Sequence, residues 1–143
     1  MTKRWTELQY LAGPTEVVIE ASKLLSTETE VLDRHFTYVF LEKALYQLRE
    51  SDPSAIDRFE AACEHHHQEM DAIRPAMIRE FGGVVTLWTH RQMAIHKRKL
   101  KDYSGGWEWC RRGLTIYGSD AIHQDSSMVD DLRKRLNWFQ EKL

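Results

Sequence analysis

The residues best able to do chemistry are three consecutive histidines, His65, His66 and His67, preceded by Cys63 and Glu64. Imidazoles bind metals and move protons near neutral pH. On a helix, successive residues point about 100° apart, so the three rings cannot serve one metal ion. Only pairs at i, i+3 or i+4 converge, which leaves Glu64 and His67 as one Glu-x-x-His pair. A carboxylate-bridged di-iron bundle needs two such pairs and two further glutamates from facing helices. The chain has no second pair and no His-Glu-x-x-His zinc motif. The expectation is that no metal and no cofactor is bound. His66 or His67 is then a partly buried, hydrogen-bonded side chain and the neighbouring rings are solvated.

The two cysteines, Cys63 and Cys110, each fall inside an apolar periodic stretch. A Cys–His nucleophile pair would need a thiol in an exposed, electropositive setting. Only Arg111-Arg112 beside Cys110 hints at one, so both thiols are expected to be buried, reduced and inert. No CxxC or zinc-knuckle spacing is present. Gly105-Gly106 enters a helix, but no strand precedes it and no Lys-Ser/Thr follows, so it is not a phosphate loop. With no serine nucleophile elbow or dinucleotide fingerprint either, no catalysis is expected. A metal-dependent helical-bundle enzyme ranks last among the functional readings.

Charge patterning is more informative. The net charge is −2, but residues 1–83 carry −6 and residues 84–143 carry +4. The steepest stretch holds Arg91, Lys97, Arg98, Lys99 and Lys101 with no acid among residues 91–101. Such a face attracts an acidic partner. The acidic and basic halves could also attract each other, within the chain or between two copies. Trp88, Trp107 and Trp109 lie near these cations, and aromatics with cations can stack bases. Against nucleic acid stand the overall negative charge and the lack of a helix-turn-helix pattern, so that reading ranks second.

The elements that must position these residues are helices. At 143 residues, 42% hydrophobic and 29% charged, the chain is read as one folded domain, 1–143. It has few alternating β-branched runs. Gly13-Pro14 starts a first helix. Thr27 with Glu30 has capping-box spacing and starts a second at about 28. Ser51-Asp52-Pro53 begins a third, whose seam of Ile56, Phe59, Cys63, His66, Met70, Ile73 and Met77 runs at spacings of three and four. Pro75 should kink it near Ile73, and Gly82-Gly83 ends it. A fourth helix covers about 86–101 and a fifth about 103–117. Residues 119–126 form a polar loop, and a last helix covers 127–143. The architecture expected is all-α, about six helices in antiparallel hairpins. No run reaches the apolar length of a membrane span. The start lacks the pattern of a signal peptide, so a cytoplasmic location is expected.

Residues 86–118 resemble a tetratricopeptide repeat, a helical hairpin in which small residues let two antiparallel helices touch. Ala94, Gly106 and Gly113 have the repeat's spacing of 12 and then 7, Met93 stands at its leucine, and Asp102-Tyr103 at its turn. Gly within a helix costs about 0.5–1 kcal/mol against Ala, and close backbone approach explains two of them. Gly106 and Gly113 are thus expected to face the helix of Ala94. The sequence departs from the repeat at His90, Lys97, Cys110 and Gly118. Residues 28–82 resemble a degenerate companion hairpin, similar to segments of uncharacterised bacterial and phage helical proteins, and 127–143 would be a capping helix. The resemblance implies a protein–protein interaction module, an adaptor, regulator or inhibitor, that binds a partner protein or acidic peptide. It places Trp88, Arg91, Ile95, Arg98 and Lys99 on the binding groove.

Overall fold

A computed structural model describes residues 4–118 and 126–143. Their regular structure is entirely helical: a short 3-10 helix at Trp5–Tyr10, then α1 (Pro14–Thr27), α2 (Val31–Gln47), α3 (Ala55–Gln68), α4 (Met70–Phe81), α5 (Trp88–Lys99), α6 (Tyr103–Tyr117) and α7 (Ser126–Lys142). None of the described helices is long and apolar enough to cross a membrane. The expected polar loop at 119–126 lies outside the described residues, apart from Ser126, where α7 begins.

The helix number exceeds the six expected for two reasons. The 3-10 helix is held by Trp5, whose indole stacks on Phe36 at 4.6 Å and donates to Asp33 Oδ1 at 2.9 Å. The expected third helix is two, and the break falls at Glu69 rather than near Ile73. Glu69 N–H bonds His66 O, a three-residue return. Its carboxylate is held by Arg34 and Tyr38. Pro75 lies inside α4.

The chain folds as two compact units, residues 1–73 and 74–143. In the first, α2 is the middle helix, packed against α1 on one side and α3 on the other, with the 3-10 helix on α1 and α2. Leu8, Val18, Ala21, Leu24, Leu41 and Leu45 are among its buried apolar residues. Arg34 ties the ends of three helices. It donates to the carbonyls of Leu25 and Glu28 at the end of α1, at 2.8 and 2.9 Å, and bidentately to Glu69 at 2.8 and 2.9 Å. Terminal carbonyls of a helix lack partners within it, so this guanidinium supplies them. The expected Thr27 capping box does not form. Thr27 ends α1, and its hydroxyl turns back to Leu24 O at 3.4 Å. Glu30 instead caps α2, accepting from the Asp33 N–H at 2.7 Å.

In the second unit α6 is the middle helix, with α5 and α7 packed on it. Asp102 caps α6 by accepting from the Gly105 N–H at 2.9 Å, and Gly118, at φ 73°, follows its end. A Cβ on Gly113 would lie 2.9 Å from Leu132 Cδ1 and 3.1 Å from His90 Cβ. Gly113 therefore meets the helix of Ala94, as expected, and α7 as well. A Cβ on Gly106 would lie 2.2 Å from the Phe139 ring. This corrects the expectation for Gly106, which faces α7. The reason is that α6 has a neighbour on each side, whereas a lone hairpin offers one.

Candidate functional site

Two groups of side chains stand out. The first is a buried polar chain in the first unit. Of the histidine run, His66 is fully buried, His67 half-buried and His65 exposed. His66 Nδ1 lies 2.8 Å from Glu42 Oε2, and its Nε2 lies 2.8 Å from His35 Nδ1. Glu42 and His35 are themselves buried on α2. The Tyr38 ring stacks on His66 at 4.8 Å with an interplanar angle of 8°. With Glu42 as the accepting carboxylate, His66 Nδ1 carries a proton. One further proton is then shared along the His66–His35 contact. Burial, reinforced by the charge at His66, pushes His35 down to about 3. Tyr38 is pushed up to about 12 by burial and by its hydrogen bond to Glu69.

This chain has the composition of a proton relay, but a relay needs access to a substrate, and its three members expose 2% or less. The adjacent thiol offers no nucleophile. Burial and then the carboxylates of Glu42, Glu60 and Glu64 push Cys63 well above its ordinary range. Cys110 is pushed up to about 12, chiefly by burial. Thiolate is the reactive form, so both are poor candidates for chemistry. Among the described residues no three His, Cys, Asp or Glu side chains form a group that could hold a metal.

The second group lies in the second unit, where α5 and α7 flank a groove of about 270 Å3. It is lined by Arg98, Asp131, Lys134, Arg135, Trp138 and Phe139. Three of the six are cations and one is an acid. Asp131 accepts from Arg91 Nε at 3.2 Å and from Arg135 Nε at 2.8 Å, so its single charge is shared. The Arg98 guanidinium sits 3.9 Å from the centroid of the Trp138 ring, and Lys142 Nζ lies 5.1 Å from the same ring. Cation–π contacts of this kind fix a charged head and an aromatic plate in one position.

The sequence-expected residues Trp88, Arg91, Ile95 and Arg98 form one stripe on α5, with Lys99 beside it. Trp88, Arg91 and Ile95 are half-buried, while Arg98 and Lys99 are exposed. Only Arg98 of this set lines the groove, and Arg91 reaches it through Asp131. Lys134, Arg135 and Trp138 were missed because α7 was read as a cap. Their spacing from Asp131, at three, four and seven residues, was available as a signal of one helix face. Comparisons with family models, curated proteins and solved structures return no match.

Proposed function

We propose that the chain is a non-catalytic docking module whose second unit takes an acidic segment of a partner protein. The observation that carries this reading is the groove that Arg98, Lys134 and Arg135 line together with Trp138, with one shared carboxylate among them. Arg recognises carboxylates through charge-assisted, bidentate bonds. Arg and Trp are also the residues that most often dominate binding energy at interfaces. The likeness of α5 and α6 to a tetratricopeptide hairpin supports the same reading, since Ala94 is fully buried and Gly113 is in close contact with α5. Buried thiols with raised pKa values support the absence of catalysis. Base stacking is disfavoured because Arg98 and Lys142 already lie over the Trp138 ring.

The test uses a labelled peptide of alternating Glu and Leu, its Gln-for-Glu counterpart and a single-stranded oligonucleotide. The Glu peptide should bind, more weakly as salt rises. The Gln peptide and the oligonucleotide should bind at least tenfold more weakly, the loss of about one charge-assisted bond. Arg98→Glu with Lys134→Glu should abolish binding. The unfolding midpoint should fall only slightly, by the loss of one exposed cation–π contact worth about 0.5–1 kcal/mol. Preference for the oligonucleotide, or Glu-peptide binding that survives the double reversal, would refute the reading.

A further inference from the structure

The first unit carries a separate groove, independent of the docking face. It is an open trough of about 410 Å3 between α1 and α3, over a floor of Leu41 and Leu45 from α2. Leu25, Ala61 and Ala62 complete its apolar surface. That volume falls in the range of small-ligand sites, about 300–1,000 Å3.

Its polar groups are mostly committed. Ser22 and Ser26 donate to the carbonyls of Val18 and Lys23, each at 2.6 Å. Tyr38 donates to Glu69 at 2.8 Å, and Arg34 is engaged by Glu69 and the end of α1. The donors that remain are Arg58 and His65, both exposed on the α3 wall. Among the described residues neither makes a hydrogen bond. None of the lining residues is acidic. Arg58 acts on Asp52, whose carboxyl is held down first by its bonds to Ser54 and least by Arg58. The groove is therefore a local cationic site within an acidic unit.

Its lining sets the occupant. The α2 residues that line it run from Arg34 to Leu45, eleven helical steps or about 16 Å. Leu41, Leu45, Leu25, Ala61 and Ala62 make that length largely apolar, and Arg58 is the guanidinium on it that makes no hydrogen bond among the described residues. An apolar trough with one such cation and no acid in its lining suits an apolar chain that ends in a carboxylate. The α3 helix runs back along α2, since Phe59 packs on Tyr46 and His66 on Tyr38. Arg58 therefore stands at the Leu45 end. We infer that this groove binds a medium-chain alkyl carboxylate. Its carboxylate sits on Arg58, and its chain passes over Leu41 and Ala62 towards Leu25.

The test titrates the full chain with decanoate below its micelle range, by amide and methyl NMR and by calorimetry, with decanol and decylammonium as controls. Decanoate should give saturable shifts at Leu25, Leu41, Leu45 and Ala62. Decanol and decylammonium should bind about tenfold more weakly, the loss of one charge-assisted bond. Arg58→Glu should weaken decanoate by a similar factor and improve decylammonium. Ala61→Trp, at an exposed position, should block the groove. If that variant disturbs the fold, the Arg58 exchange alone still decides. The inference is overturned by any of four results: no saturable binding, decanol as tight as decanoate, shifts confined to residues 74–143, or no effect of Arg58→Glu.

Discussion

The buried His35 should make the fold acid-labile, and one substitution should remove that lability. His35 exposes 2% of its surface, and burial, helped by the charge at His66, holds it near 3 against 6.5 for the free side chain. The folded-state pKa is depressed, so the folded protein keeps His35 neutral where the unfolded chain takes up a proton. Its contribution is fully present above pH 6.5 and falls as the pH drops towards 3. The slope approaches about 1.4 kcal/mol per pH unit, so roughly 5 kcal/mol is lost across the whole window. Total stability is usually only about 5–15 kcal/mol. By pH 4.5 the loss is about 3 kcal/mol, enough to move a urea midpoint by roughly 1–3 M at ordinary slopes.

The assay is urea unfolding from pH 7 to 4.5, followed by circular dichroism, for the natural chain and for His35→Gln. Glutamine can keep a hydrogen bond to His66 but does not titrate. The variant should be less stable at pH 7 and should show a flatter dependence on pH. Stopping at 4.5 excludes most of the contribution from Glu69, Asp102 and Glu108. The Arg34 bond, the Gly105 N–H and Arg111 respectively hold these carboxyls below their ordinary values. Parallel pH profiles for the two proteins would refute the reasoning.

Gly113→Leu should lower stability by about 1–3 kcal/mol through overpacking against His90 and Leu132; a urea midpoint above that of the natural chain would show that the close contact is not limiting. Cys63 and Cys110 should resist a thiol-reactive disulfide reagent in native buffer at pH 8 and react after denaturation, because burial raises both pKa values; rapid native labelling of either would contradict the placement of its thiol.

Of the seam read from spacing, Phe59, Cys63, His66, Met70, Ile73 and Met77 are buried and Ile56 is half-buried, even though the helix breaks at Glu69. His66 could be placed inside because it belongs to that seam. Its partners could not, since His35 and Glu42 lie 31 and 24 residues away. They sit on α2, where apolar residues on nearly every face hide two polar positions. Their spacing of seven residues, two turns of one face, was the available clue. The break at Glu69 was misplaced because Pro75 is a visible signal in the sequence. The Arg34–Glu69 pair depends on residues 35 apart. On the basic face, α5 was legible from its charge run. The α7 half was not, since a helix assigned to capping was expected to hold only solvated charges.

Each unit contains a helix with neighbours on both sides, and the side chains of that helix together with those of the facing wall set the groove beside it. On α6, Gly106 and Gly113 remove bulk, so Leu132 of α7 and His90 of α5 both approach Gly113. The outer helices converge there, and the opening that remains is the small one beside Arg98 and Trp138, about 270 Å3. On α2, the corresponding surface carries Tyr38, Leu41 and Leu45, which stand between α1 and α3. Small residues occur instead on the outer wall, at Ala61 and Ala62, and the space left is longer, about 410 Å3. Bulk on the middle helix with small residues on the wall gives an apolar trough. Small residues on the middle helix with bulk on the wall give a smaller cleft rimmed by charge. On this argument, exchanging Ala62 for Leu should close the first groove without altering the second, because the wall, not the middle helix, limits its width.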